Sequence, residues 1–179
     1  DGALDLISTI DLSDAVFLSF LPLSHAYEHT GGQFLPIAVG GQIYYAERVE
    51  TLATNMIEAR PTILTAVPRL YENMRMRILQ GLKRQSKVSQ TMFELALTLG
   101  RKRYENPKSM TLWDKARDVV ADRLVRTKVR KRFGGRLKAM VSGGAPLNYD
   151  VGVFFIALGV RLLQGYGQTE AAPVISANP

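Results

Sequence analysis

The first third of the chain alternates short apolar runs with helical stretches, and this order constrains the fold more than any other feature. Residues 14–20, Asp-Ala-Val-Phe-Leu-Ser-Phe, are too continuously apolar for a half-exposed strand and indicate a buried parallel one. A helix over about 26–39, a strand over 42–46, a helix over 49–60 and a strand over 62–67 follow. This alternation predicts right-handed crossovers and an α/β fold, a mostly parallel sheet with helices on both faces.

The middle of the chain, from about residue 68 to 133, is helical by pattern. Thr111 and Asp114 form a capping box that predicts a helix start, and Gly134-Gly135 predicts its end. Apolar residues at helical spacing are expected to face the core, and the same is expected of the single tryptophan and three methionines. These residues are Leu112, Ala116, Val120, Leu124, Val125, Val129 and Phe133, with Trp113, Met74, Met76 and Met92.

Strand and helix alternate again after the helical region. A strand over 137–142, a helix over 149–158 and a strand over 160–163 are predicted, and no terminal structure is expected at 176–179. The chain therefore reads as one partial domain over residues 1–179, preceded by linker-like residues at 1–5. Its parts are β/α units over 14–67, the helical region over 68–133 and a β/α unit over 137–179.

Composition excludes several classes of protein. With 46% hydrophobic and 22% charged residues, the chain is an ordinary globular sequence. It has no cysteine, which excludes a disulfide framework, thiolate catalysis and a cysteine-ligated metal, and fits a reducing cytosol. No apolar run approaches the roughly eighteen residues of a membrane span. No basic region opens the chain, so no signal peptide is expected, and the expected location is the cytoplasm.

Most of the net charge of +7 comes from one segment. Residues 101–138 hold 14 Lys and Arg against 4 Asp and Glu, a net of +10. The basic stretch 123–132 is interpreted first as a solvated helix face. The second interpretation is a surface that binds an anionic membrane, which would place the protein at the inner face of that membrane. Phosphate attraction comes third, and nucleic acid is least favoured because no aromatic residues are interleaved.

Two glycine-rich segments about twenty residues apart each follow a predicted strand. They are Gly143-Gly144-Ala145-Pro146 and Gln164-Gly165-Tyr166-Gly167-Gln168-Thr169-Glu170. Ligands of open α/β sheets bind at the carboxyl ends of strands, and Ser24-His25 follows the first strand at the same edge. Tyr166 can stack on a base, Thr169 can bond a phosphate oxygen, and Glu170 can hold Mg²⁺ with phosphates. The segments thus predict half of a nucleotide site.

These motifs resemble those of the adenylate-forming (AMP-binding) enzymes, in particular the long-chain fatty acyl-CoA synthetase branch. The resemblance runs from about residue 14 to 179 and includes Leu21-Pro22-Leu23-Ser24-His25-Ala26-Tyr27-Glu28. It implies ATP, Mg²⁺, CoA and a fatty acid as cofactor and substrates. The parent enzyme would form an acyl-adenylate from ATP and then transfer the acyl group to CoA.

The resemblance also implies roles for particular residues. The turn at 143–146 would lie along the adenine, with Tyr166 stacked on it. Thr169 would bond the α-phosphate, Glu170 would bind Mg²⁺, and His25 would lie beside the reacting carboxylate. The implied nucleotide-binding set is Gly143, Gly144, Ala145, Pro146, Gln164, Gly165, Tyr166, Gly167, Gln168 and Thr169, and Gln164, Gly165 and Gly167 would also border the acyl pocket.

Several alternatives stay open. His25 is favoured as a substrate-site residue, and a helix cap or packing residue is its alternative. A hydrolase is disfavoured because the chain has no Gly-x-Ser-x-Gly elbow. The parent could ligate acyl groups to a carrier protein or adenylate amino acids, or the chain could be a non-catalytic membrane- or nucleic-acid-binding module. The family's phosphate loop and catalytic lysine are expected outside this chain, in a parent roughly three times longer. The 179 residues alone are therefore expected to turn over nothing.

Overall fold

The computed structural model of the protein describes residues 10–171 and 174–178, and the predicted linker at 1–5 lies outside them. In this part of the chain six strands form a sheet in the order β2-β1-β3-β4-β5-β6. The first five run parallel, which confirms the predicted architecture, and β6 pairs antiparallel with β5. The strands are β1 Val16–Ser19, β2 Gln42–Tyr45, β3 Ile63–Ala66, β4 Ala139–Ser142, β5 Leu162–Tyr166 and β6 Ser176–Ala177.

Six helices accompany the strands in the described residues. Helix α1 comprises Ala26–Glu28, a π-helical stretch His29–Phe34 and Leu35–Ala38, and α5 comprises Leu112–Ala121, a π-helical stretch Asp122–Arg126 and Thr127–Arg132. The others are α2 Leu52–Ala59, α3 Pro68–Lys83, α4 Lys87–Glu105 and α6 Tyr149–Ala157, with short 3₁₀ turns at Pro107–Ser109 and Thr169–Ala171. Among the described residues, none of the helices combines the length and apolar character needed to cross a bilayer.

Strands β1, β3 and β4 are buried on both faces, as their continuous apolar runs predict, whereas β2 at the edge of the sheet is largely exposed. In β1, Phe17 packs into one apolar cluster and Leu18 into another, because successive strand side chains point to opposite faces. Leu35 and Val39 from the α1 region cover the Phe17 face. Helices α2 to α6 supply the larger cluster on the Leu18 face, which includes Phe155.

The apolar stripe of α5 is only partly as predicted. Val125, Val129 and Phe133 are buried, which confirms the prediction for the second half of the stripe. The first half was assigned wrongly: Leu112, Ala116, Val120 and Leu124 are exposed, and Trp113 is 77% exposed rather than in the core. The inward positions of this half are Asp118 and Ala121, which lie off the predicted stripe, and the π-helical stretch Asp122–Arg126 follows them.

Two further assignments in the helical region need correction. Met76 was assigned to the core but is exposed, whereas Met74 and Met92 are partly buried and pack against the larger cluster. Arg126, predicted to lie on a solvated helix face, has no exposed surface at all. Its side chain donates to the carbonyls of Ala96 and Ala157, which are 30 and 31 residues away, and a charge run cannot reveal such partners.

Candidate functional site

The pairing of β4 with β5 sets the two glycine-rich segments side by side. Ser142, the last residue of β4, lies opposite Gln164 in β5, so the turn after Ser142 stands beside Gly165 and Tyr166. Gly144 has φ +81°, a conformation that residues with a side chain rarely adopt. The Ser142 hydroxyl is buried at the base of this turn and has no hydrogen-bond partner among the described residues.

The second glycine-rich segment, 164–170, begins inside a strand, although the predicted strand ended at residue 163. Gln164, Gly165 and Tyr166 belong to β5 and pair with β6, and the chain leaves the strand only at Gly167. The backbone N–H of Ile175 donates to the Tyr166 carbonyl at 2.9 Å, which closes the hairpin that carries Thr169 and Glu170. The tyrosine ring is 60% exposed and so presents a face to solvent.

Tyr27 of α1 touches the first glycine turn directly. An added Cβ at Gly143 would lie 2.6 Å from the Tyr27 ring, so glycine is required at this position. The Tyr27 hydroxyl donates to the Val141 carbonyl at 3.1 Å, and the Tyr71 hydroxyl, from α3, donates to the same carbonyl at 3.0 Å. Burial raises the pKa of both phenols above the ordinary value, so both remain donors at neutral pH.

Glu28 is a fully buried carboxyl group next to this contact. It accepts hydrogen bonds from the Ser19 hydroxyl at 2.5 Å and from the Thr65 hydroxyl at 3.3 Å. Ser19 is the last residue of β1, and Thr65 is the last but one residue of β3. An added Cβ at Gly32 would lie 2.4 Å from its Oε1. Burial raises the pKa of Glu28 by more than the hydrogen bonds of Ser19 and Thr65 lower it.

A small apolar cavity lies beneath these residues on the α1 face of the sheet. Its volume is about 40 Å³, and it is bounded by Tyr27 and Gly31 from α1, Gly143, Gly165 and Val174. Ligand pockets typically have several hundred Å³, so this cavity alone is too small to hold a nucleotide. A Cβ at Gly165 would fit without a clash, because the nearest atom, the Ser142 carbonyl oxygen, would lie 3.6 Å away.

The structure brings together only part of the predicted site. Gly143, Gly144, Gly165, Tyr166 and Gly167 line the cavity. The other predicted residues lie outside its lining, and most of them are exposed: Ala145, Pro146, Gln164, Gln168, Thr169, Glu170 and His25.

His25 is the N-cap of α1. A helix cap was the alternative to a substrate-site role that its position near a helix start left open. Its Nδ1 accepts a hydrogen bond from the Tyr27 backbone N–H at 3.2 Å, and the side chain is exposed. The cap fixes the direction in which α1 leaves β1, and therefore where the Tyr27 ring meets the glycine turn.

The residues at this edge are compatible with a nucleotide. Gly144 is exposed at this edge, the buried Ser142 hydroxyl has no hydrogen-bond partner among the described residues, and Tyr166 offers an exposed ring. Within the described ranges no group of three or more carboxylate, histidine or cysteine side chains could hold a metal. A Mg²⁺ ion at Glu170 would therefore need phosphate oxygens as further ligands, which is how this ion is commonly bound.

Sequence reasoning assigned no role to Tyr27, Glu28 or Tyr71, although the first two follow His25 closely. Their signal was weak, since a tyrosine or glutamate in the first turn of a helix is normally exposed. A hint was present in Gly31-Gly32, because two glycines inside a helical pattern indicate close approach by another group. In the structure that group is Glu28 for Gly32 and Thr65 for Gly31.

Comparison with known proteins finds similarity to the same enzyme family that the motifs resemble. The family described as AMP-binding enzyme matches residues 3–179. The peroxisomal long chain acyl-CoA synthetase 6 of Arabidopsis thaliana is 34% identical over 92% of the chain, and the long-chain-fatty-acid–CoA ligase 5 of Mus musculus is 31% identical over 88%. The chain spans only 22% of the length of each of these curated relatives.

Solved structures share the fold. The A domain of carboxylic acid reductase from Segniliparus rugosus, in complex with AMP and a co-purified carboxylic acid, matches 90% of the chain with a TM-score of 0.56 at 25% identity. The A-PCP didomain of that reductase, in complex with AMP, gives a TM-score of 0.62 at 27% identity. The chain covers 22% and 19% of these two proteins.

Proposed function

Since the chain belongs to the AMP-binding enzyme family, we propose that it is the adenine and acyl-pocket portion of a long-chain fatty acid–CoA ligase. In that reaction a fatty carboxylate attacks the α-phosphate of ATP, which forms an acyl-adenylate and releases pyrophosphate. The CoA thiol then displaces AMP and forms the thioester. The observation that carries this proposal is the side-by-side placement of the 143–146 turn and the end of β5.

The residues of this edge divide the work of holding the adenylate. The 143–146 turn lies along the adenine, and the exposed Tyr166 ring stacks on it. Thr169 donates to an α-phosphate oxygen, and Glu170 holds Mg²⁺, which would neutralise phosphate charge when bound. Gln164, Gly165 and Gly167 border the acyl chain, since two of them have no side chain. His25 caps α1 near the reacting carboxylate. This catalysis rests on positioning and charge neutralisation.

Calorimetric titration with a non-hydrolysable acyl-adenylate mimic tests the site. Replacing Tyr166 by alanine should weaken binding by about tenfold or more, since stacking contributes roughly 1–3 kcal/mol per base. Tyr45→Ala is a matched control, because Tyr45 is also exposed but lies in β2 at the other edge of the sheet. Equal binding by both variants would reject the adenine site. A folded protein that binds no mimic would mean that segments outside this chain are required.

The acceptor of the acyl group and the activity of the chain alone need separate assays. Full-length parent protein offered CoA or an acyl carrier protein should prefer CoA, whereas a carrier-protein ligase or a peptide adenylation domain would not. The 179-residue chain alone should release no pyrophosphate from ATP and fatty acid. Fatty-acid-dependent pyrophosphate release by this chain would refute the division of the site between segments.

Peripheral binding to an anionic membrane is the second part of the proposal, and exposed cations on α5 support it. Within 123–132, Arg126 is buried and Arg130 pairs with Asp122 at 2.9 Å, whereas Arg123 and Lys131 are exposed. Sedimentation with phosphatidylserine vesicles should therefore weaken in Arg123→Glu/Lys131→Glu. Unchanged sedimentation of that variant would remove the membrane from the proposal.

A further inference from the structure

A second and larger cavity lies on the opposite face of the sheet from the cavity at the glycine turns. It is an open groove of about 480 Å³ between α2, α3, α4 and α5. Its floor is formed by buried side chains of the larger apolar cluster, including Leu52, Phe93 and Val129. No residue of the proposed adenylate site lines it.

The walls of the groove are apolar and adaptable. Met56, Met74 and Met92 all contribute, and methionine side chains adjust to irregular apolar ligands. At the mouth Val49 and Val88 are 45% and 74% exposed. The groove therefore presents continuous apolar surface to solvent, which in a globular protein commonly marks a binding site.

Three cations stand at the rim of this apolar surface. Arg77 comes from α3, and Lys128 and Arg132 come from α5; all three line the groove and are exposed. None of them forms an ion pair within the described parts of the chain, in contrast to Arg126 and Arg130 on the same helix. An apolar trough with unpaired cations at its edge is complementary to an anionic amphiphile.

The volume decides which kind of occupant fits. A groove of about 480 Å³ lies inside the range of small-molecule sites, roughly 300–1,000 Å³. We propose that this groove binds one long-chain fatty carboxylate, with its chain along the methionines and its carboxylate at Lys128 and Arg132. The site is separate from the adenylate site.

Gly81 allows the groove to be filled without disturbing the fold. It lines the groove, an added Cβ there meets nothing within 4 Å, and its φ is not in the left-handed region. Gly81→Leu should also favour helix α3, because glycine is the poorer helix former. Equilibrium dialysis with radiolabelled palmitate should show one palmitate bound per chain, and Gly81→Leu should weaken binding by at least about tenfold.

Charge and location are tested by matched variants. Lys128→Glu/Arg132→Glu should weaken palmitate binding by about tenfold but leave hexadecanol binding unchanged. Lys115→Glu/Arg117→Glu, the same charge change elsewhere on α5, should alter palmitate binding by less than about twofold. Gly165→Leu, which fills the cavity on the other face, tests whether palmitate binds there instead.

Several results would overturn the proposal. One is the absence of saturable palmitate binding to the folded protein, and another is undiminished binding by Gly81→Leu. Loss of binding in Gly165→Leu would assign the palmitate to the glycine-turn face instead. Self-association that Gly81→Leu abolishes, without palmitate binding, would show that a second copy of this chain occupies the groove. The Tyr166→Ala titration is independent of all these outcomes, so the two proposals can fail separately.

Discussion

Two buried charged side chains, Arg126 and Glu28, lie on opposite faces of the sheet and are held in contrasting ways. The Arg126 guanidinium has a carboxylate and carbonyls for partners: Asp118 Oδ1 at 2.5 Å, the Ala157 carbonyl at 2.7 Å and the Ala96 carbonyl at 3.0 Å. Glu28 has hydroxyl partners and no ion pair within the described residues. The arginine therefore joins helices α4, α5 and α6, whereas burial raises the pKa of the Glu28 carboxyl group.

The contrast shows that burial of charge serves two purposes in this fold. At Arg126 a fixed positive charge requires complete compensation, and the compensating groups come from three helices. At Glu28 the environment favours the protonated carboxyl, which can lie under the site without a counter-ion. Substitutions of Arg126 should therefore have the largest effect on the free energy of unfolding. The effect of substitutions of Glu28 should depend on pH and on the residue at position 32.

The largest expected effect is at Arg126. Arg126→Met should lower the free energy of unfolding by about 3–5 kcal/mol, because it leaves Asp118 and two buried carbonyls without their main donor. Urea denaturation followed by circular dichroism measures this loss. Arg123→Met is the matched control on the same helix, and since Arg123 is exposed its effect should stay within about 0.5 kcal/mol. Similar losses in both variants would contradict the central role of Arg126.

The contact between Gly32 and Glu28 should give the next largest effect. Gly32→Ala should cost about 1–3 kcal/mol, because its Cβ would overlap the Glu28 carboxyl group. In Glu28→Ala/Gly32→Ala that overlap is gone, so the second substitution should cost much less than it does alone. Urea denaturation of the four proteins completes a double-mutant cycle. Additive losses would mean that the carboxyl group and Gly32 are not in contact.

These residues also show what the sequence could and could not predict. The order of strands and helices followed from local periodicity, and it was confirmed from β1 through α6. The burial of Arg126 could not be predicted, because Ala96 and Ala157 are 30 and 31 residues away. The extension of β5 through Tyr166 was missed for a similar reason: its partner β6 is a two-residue strand that local pattern does not mark.

The sequence predicted where in the fold the candidate site lies but not which side chains reach its cavity. Two glycine segments after neighbouring parallel strands had to meet at one edge, and they do. Which residues reach the cavity was set by α1, since Tyr27 fills the space against Gly143. His25, Thr169 and Glu170 keep their proposed roles toward a ligand, but the described structure gives them no contact with the cavity.

The pH dependence of stability separates Glu28 from Arg126 further. Because the folded-state pKa of Glu28 is raised above its ordinary value of 4.5, the folded protein binds this proton more tightly than the unfolded chain. Its contribution to the free energy of unfolding is complete below the unfolded pKa and is lost as pH rises through the folded pKa. Glu28→Gln, which stays neutral, should lack this decline.

The measurement is the difference in unfolding free energy between the unmodified protein and Glu28→Gln, taken by urea denaturation from acid to neutral pH. This difference should fall as pH rises, whereas contributions from groups other than residue 28 largely cancel between the two proteins. A difference that is constant with pH would show that folding does not shift the pKa of Glu28, and a difference that grows would show that folding lowers it.

The smallest effect is expected at Trp113, which tests the corrected phase of α5. Trp113→Ala should change the free energy of unfolding by less than about 0.5 kcal/mol, because the side chain is 77% exposed. Phe155→Ala, at a position with no exposed surface, should by contrast cost about 3–5 kcal/mol. Trp113 is the single tryptophan, so acrylamide quenching of its fluorescence reports its exposure directly. Strong quenching in the folded protein agrees with a solvent-facing first half of α5. Weak quenching together with a large loss in Trp113→Ala would place the tryptophan in the core and move the inward face of this helix away from Asp118, the carboxylate that compensates Arg126.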